Sequence, residues 1–174
     1  MFKFFKKKNQ NEIKLYNKIL SLSRNKLFFL DLNLSDTFEN RVNLIFFHAS
    51  FIFIKFKKKG KVKNFSILSQ KLFDYIFKKI EINMRENGFG DTTINKNMKF
   101  LVKVFYSILL KCESFKSTSR MDKIPFLFKH LSGNNLSNKP INIDLVDYFD
   151  KYESFCFDLD DDSILKGELN FIYK

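Results

Sequence analysis

Apolar side chains recur at three- and four-residue spacing through most of the chain, not at alternate positions, and that rhythm predicts helices. Ile13, Leu15, Tyr16, Ile19, Leu20 and Leu22 mark a first helix that ends near Arg24-Asn25. Asp36 and Glu39 stand at the N-cap and N3 positions of a capping box, so a second helix is expected to start at Asp36 and run to about Lys57. It is apolar over most of its girth and is therefore expected at the centre of the fold. Lys57-Lys58-Lys59-Gly60-Lys61 reads as its solvated stop. Asn64 or Ser66 caps a third helix through Leu68, Leu72, Phe73, Ile76, Phe77 and Ile80, closed after Asn87 by Gly88 in a left-handed conformation.

Asp91 or Thr93 caps a fourth helix, in which Met98, Leu101, Val102, Phe105, Ile108 and Leu109 form one stripe. Pro125 is placed in the first turn of a shorter helix ending at Leu131, and the run from Ser132 to Pro140 is the clearest loop. A last helix spans Ile143 to Phe157, its inner face set by Leu145, Val146, Phe149 and Tyr152. The fold expected is all-α: a single compact domain of about six helices over residues 1–174, with residues 1–10 a flexible basic terminus and a short strand or extended segment at the C-terminus. No internal repeat interrupts it.

Composition agrees with that outline. Five Gly and two Pro leave little material for the repeated tight turns of an all-β sandwich or barrel. With 45% hydrophobic and 29% charged residues the chain resembles neither a collagen, a disulfide scaffold nor a disordered tail. The net charge of +12 needs discounting, because 27 Lys, 24 Phe, 17 Asn and 16 Ile accompany one Ala and four Arg. All four abundant residues have A/T-rich codons, the signature of a low-GC genome. The charge is also uneven: residues 1–63 carry +11, residues 64–139 carry +7 and residues 140–174 carry −6, which suggests an oriented surface.

Cys112 and Cys156 form no CxxC and have no neighbouring His, so they read as reduced, buried thiols and not as a bridge or metal site. Met1 to Lys8 is basic but runs into polar Asn9-Gln10-Asn11-Glu12 instead of an apolar core, unlike a secretory signal. The most apolar stretch, Leu44 to Ile54, includes His48 and Ser50 and falls short of the ~20 residues needed to cross a bilayer. These features read as a soluble protein.

Candidate chemistry is sparse. There is no Gly-x-Ser-x-Gly, P-loop, dinucleotide fingerprint or HExxH, and His48 and His130 are the only histidines. A lone imidazole without a positioned acid, nucleophile or metal reads as packing, so no catalysis, cofactor or metal is expected. The acidic run Asp158-x-Asp160-Asp161-Asp162 lacks the glycine and the closing glutamate of a calcium loop. Lys6-Lys7-Lys8 and Lys57-Lys58-Lys59, interleaved with Phe2, Phe4, Phe5 and Phe56, leave open binding to RNA or a ribosome, or to an anionic membrane surface.

Two segments break the helical monotony. In the first, Arg41 and His48 lie seven apart and so on one helical face; a buried Arg41 needs a carboxylate, with Asp36 or an acidic residue of another helix the candidate. In the second, Met84-Arg85-Glu86-Asn87-Gly88-Phe89-Gly90-Asp91, two glycines bracket one aromatic at a corner between helices. That corner is either plain helix punctuation with a salt bridge or a knob that presents Phe89 to a partner.

These segments resemble the ubiquinol–cytochrome c chaperones, a family that assists assembly of the cytochrome bc1 complex. The family pattern Asp-Thr-x-x-Gly-Arg-Phe, then an apolar run and Leu-His, reads here as Asp36-Thr37-Phe38-Glu39-Asn40-Arg41-Val42, then Phe47-His48. Its corner Leu-Arg-Glu-Met-Gly-Val-Gly-Asp reads as Met84 to Asp91, and its Phe-Tyr as Phe105-Tyr106. Ser23-Arg24, Leu145 to Tyr148 and Leu165-Lys166-Gly167 extend the resemblance over nearly the whole chain. Departures are Asn40 for Gly, Val42 for Phe, and Ser107-Ile108 where Gly-Arg is frequent.

The resemblance implies a non-enzymatic chaperone that holds newly made cytochrome b, in some members with a small second chaperone subunit. It implies a place on the cytoplasmic side of a bacterial inner membrane, or the matrix side of a mitochondrial one. The residues carried over as family motif or partner-binding positions are Asp36, Thr37, Arg41, His48, Arg85, Glu86, Gly88, Phe89, Gly90 and Asp91. Aromatic abundance gives the chaperone reading a physical basis, since 24 Phe exceed what a core of this size is expected to hide. The alternative is a basic helical RNA- or ribosome-binding protein with no membrane-protein client.

Overall fold

The computed structural model of the chain describes residues 10–60, 62–132 and 143–173. Among these residues the regular structure is helical throughout: α1 Asn11–Ser23, α2 Lys26–Leu30, α3 Phe38–Lys58, α4 Lys63–Glu86, α5 Asp91–Cys112, α6 Arg120–His130, α7 Ile143–Asp158 and α8 Asp161–Leu165, with a 3-10 turn at Phe115–Ser117. The six longer helices are those the periodicity predicts. The two five-residue helices are not foreseen, because a single turn carries too few positions to show a period. The expected basic terminus, the Lys6-Lys7-Lys8 cluster with its phenylalanines, and nearly all of the expected 132–140 loop lie outside the described residues.

α3 is the axis, as its apolar girth implies, and it packs against α5, α1, α4 and α7. α1 lies on α4 and α6 on α7. Phenylalanine supplies much of the filling: Phe46 meets Phe77 and Phe105 at 5.6 and 5.4 Å between ring centroids, and Phe47 meets Phe126 and Phe149 at 5.4 and 5.1 Å. One connected apolar core runs from Leu15 to Leu169. It takes in far more of the phenylalanines than composition suggested, and among the described residues only Phe38, Phe89 and Phe100 stay largely exposed. The apolar excess is therefore confined to particular places.

Polar groups in the core are tied to backbone. Lys55, buried near the end of α3, donates from Nζ to the Phe157 and Leu159 carbonyls and so caps the C-terminus of α7. Asn40 Nδ2 donates to both Ser35 O and Ser132 O at 2.7 Å, and Asn40 Oδ1 accepts from Ser132 N at 2.9 Å. The departure from the family glycine is thus a clamp joining the start of α3 to the chain beyond α6. Cys112 and Cys156 are buried free thiols; burial raises both, Cys156 to about 12, which keeps it unreactive.

Several helix ends correct the expectations. The N-cap of α3 is Thr37, whose Oγ1 accepts from Asn40 N at 3.2 Å; Asp36 is not the cap, because Arg41 takes its carboxylate. Val62 precedes α4, ahead of the polar caps expected at Asn64 or Ser66, and Gly90 precedes α5, so Asp91 is that helix's first residue. α6 starts one and a half turns before Pro125, capped by Ser119, which accepts from Asp122 N. Asp160 caps α8 through Ser163 N at 2.9 Å, which gives the acidic run a structural task. Beyond Gly167 the chain has no regular secondary structure to residue 173.

Candidate functional site

A groove of about 810 Å³ opens between α1, the first turns of α3 and the C-terminal half of α4. Ile13, Tyr16, Leu20, Val42, Ile45 and Ile80 supply its apolar lining. Tyr16 and Tyr75 meet edge to face across the α1–α4 contact, with ring centroids 5.1 Å apart. Phe38 and Phe89, two of the exposed phenylalanines, stand on the groove at the start of α3 and beyond the end of α4. Its charged lining is mostly cationic, with Arg24, Arg41 and Lys79 against Glu86. The groove thus sets an apolar floor inside a polar, mostly cationic rim.

The corner that carries Phe89 is a Schellman motif. Gly88, at φ +79°, donates its N–H to Arg85 O, and Phe89 N donates to Met84 O. Arg85 turns away from its neighbour Glu86 and instead joins Glu81 (Nη2 to Oε1, 2.9 Å) and Asp91 (Nη1 to Oδ1, 2.6 Å), bracing α4 against the start of α5. Glu86 is left to line the groove. Phe89 is 44% exposed. Gly90 has φ −73° and nothing within 4 Å of where a Cβ would stand, so its backbone does not require glycine.

Arg41 is not buried, contrary to expectation. It and Asp36 are 45% and 52% exposed, joined through two hydrogen bonds, with the guanidinium 5.4 Å from the Phe29 ring centroid. Seven-residue spacing does put Arg41 and His48 on one stripe, but that stripe leaves the core at the first turn of α3. His48 lies deep inside. Its Nδ1–H donates to Leu44 O at 2.7 Å, so Nε2 accepts from the Tyr148 hydroxyl, also at 2.7 Å. Tyr152 donates its hydroxyl to His48 O at 3.2 Å.

The structure therefore brings Arg41, Glu86 and Phe89 together on one groove, with Asp36 and Thr37 beside it as support for Arg41 and the start of α3. It sets His48 apart as core and gives Arg85, Gly88 and Asp91 to the frame of the corner. Sequence reasoning missed Phe38, Tyr75, Lys79 and Asn83 as groove residues. Phe38 lay inside the motif already singled out, one residue past Thr37, and its apolar side chain in a polar first turn was the available signal. The lysine run is occupied: Lys57 pairs with Glu113, Lys59 with Asp161, and Lys58 Nζ lies 3.9 Å from the Phe157 ring centroid.

Among the described residues no three His, Cys, Asp or Glu side chains gather as a metal site, and no helix is long and apolar enough to cross a membrane. What the fold and groove define is an all-helical protein with an open, largely apolar groove. The chain belongs to the ubiquinol–cytochrome C chaperone family, whose sequence model matches residues 30–171. Its fold is that of the protein described as the Cbp3 homolog from Brucella abortus, with a TM-score of 0.80 at 21% identity, over 95% of this chain and 91% of that one. A comparison with curated protein sequences gives no match. Membership in a chaperone family implies a role without catalysis.

Proposed function

We propose that the chain is an assembly chaperone of the cytochrome bc1 complex that holds newly made cytochrome b against the groove between α1, α3 and α4. The observation that carries this reading is the convergence of both family motif segments on that groove: Arg41 and Phe38 come from one, Glu86 and Phe89 from the other. An exposed aromatic pair on a concave apolar surface with a cationic rim suits a segment of an unassembled membrane protein, whose apolar side chains need cover until it is built in. Chaperone work also needs release, and a groove open to solvent permits it. The RNA alternative loses support at Lys57-Lys58-Lys59, since each of these lysines already has a partner within the molecule.

The test is capture of cytochrome b by tagged protein from membranes of its own organism. The expected result is enrichment with the unaltered chain and a severalfold loss with Phe89→Ala and with Phe38→Ala, each retaining the parent melting temperature within a few degrees. Unaltered capture by both variants would remove the groove as the client site.

A further inference from the structure

A second surface lies on α5. Between Asp91 and Glu113 that helix contains no acidic residue. Its core-facing stripe is Ile94, Leu101, Phe105, Ile108 and Cys112. The opposite sector is exposed and carries Lys96, Lys99, Lys103 and Lys111, none of them paired with a carboxylate among the described residues. Among these lysines stand Phe100, 59% exposed, and Leu110, 65% exposed, with Tyr106 at the margin where it meets Phe73 of α4. A solvated helix face normally keeps such side chains inward. At 1.5 Å per residue the four lysines extend over about 22 Å of one helix.

We propose that the outward face of α5 docks the chain on an anionic lipid bilayer. Helix α5 then lies in the plane of the surface, Phe100 and Leu110 enter the headgroup layer, and the four lysines neutralise lipid phosphates. Charge complementarity selects this occupant: the face is cationic along its length, and lysine is a point charge that meets phosphates without demanding an orientation. The apolar residues separate lipid from RNA, since Leu110 has no ring on which a base can stack. Lysine stems reach past such insertions while their ammonium groups stay in the polar layer. The surface shares no residue with the client groove, so this inference stands or falls apart from the proposed function.

The experiment is flotation of the purified full chain with vesicles of phosphatidylcholine alone or of equal parts phosphatidylcholine and phosphatidylglycerol, alongside a polyuridine binding assay. Binding to the anionic vesicles only is expected. Lys99→Glu with Lys103→Glu, and separately Phe100→Ser with Leu110→Ser, should each weaken it by about tenfold or more. The control pair Lys71→Glu with Lys78→Glu, on exposed positions of α4, should change it by less than about threefold. Circular dichroism and melting temperature of all three variants should match the parent. The proposal is overturned by failure to bind anionic vesicles, by an equal effect of the control pair, by indifference to the apolar pair, or by α5-dependent polyuridine binding without vesicle binding.

Discussion

His48 holds both ring nitrogens in hydrogen bonds inside the core, and burial lowers its pKa from 6.5 to about 4, against a smaller opposing effect of the Leu44 carbonyl. The unfolded chain takes up a proton below pH 6.5 and the folded chain only below about 4, so stability falls as pH drops through that window. The loss attributable to this one residue is about 3 kcal/mol. His130, also lowered by burial and then by Lys129, acts in the same direction. Thermal melts from pH 7.5 to 4 should show this decline, and His48→Gln should flatten it while lowering stability at neutral pH. Arg41 is the contrasting case: its ion pair with Asp36 is exposed, so Arg41→Ala should cost no more than about 1 kcal/mol by denaturant unfolding. A larger loss would mean that Arg41 holds α3 in place. A motif cannot reveal this difference. Spacing gives a shared face, but whether that face is still inside the core depends on where neighbouring helices end.

At the scale of elements, the long helices were legible because their apolar stripes persist over several turns, and α3 was recognisable as central because it has almost no polar stripe. The helix starts were less legible. Asp36, Asn64 and Ser66 are good capping types, yet Arg41 withdraws the first from capping and α4 begins upstream of the other two. Capping types outnumber caps, and only tertiary partners choose among them. The α4–α5 corner was read correctly at Gly88 and differently at Gly90. Gly88→Ala should cost about 1 kcal/mol in denaturant unfolding because φ +79° strains any side chain, while Gly90→Ala, unstrained but at the N-cap of α5 where alanine caps poorly, should change stability by less than about 1 kcal/mol. If Gly90→Ala nonetheless impairs client capture, the close approach belongs to the client and not to the fold.

For the molecule as a whole, the candidate site was half legible. The two motif segments could be picked out because each breaks the helical rhythm, but nothing in one dimension says that residues 38–41 and 86–89 face each other across a groove walled by α1. Phe38 and Tyr75 join that groove only through the α1–α3 and α1–α4 packing. The surplus of phenylalanine misled in the other direction, since dense ring packing around α3 hides most of it and, among the described residues, leaves only Phe38, Phe89 and Phe100 largely exposed. α1 itself depends on the far end of the chain. Asn11 Nδ2 donates to Leu165 O at 2.7 Å, and Lys18 Nζ donates to Asn170 Oδ1 at 2.9 Å. Gly167 sits so tightly on α1 that a Cβ there would stand 2.7 Å from that of Lys14. One wall of the groove is therefore fastened by residues translated some 150 positions later. While the ribosome is still making it, the chain lacks these fastenings, so the α1 wall of the groove is secured only once residues 165–170 have been added.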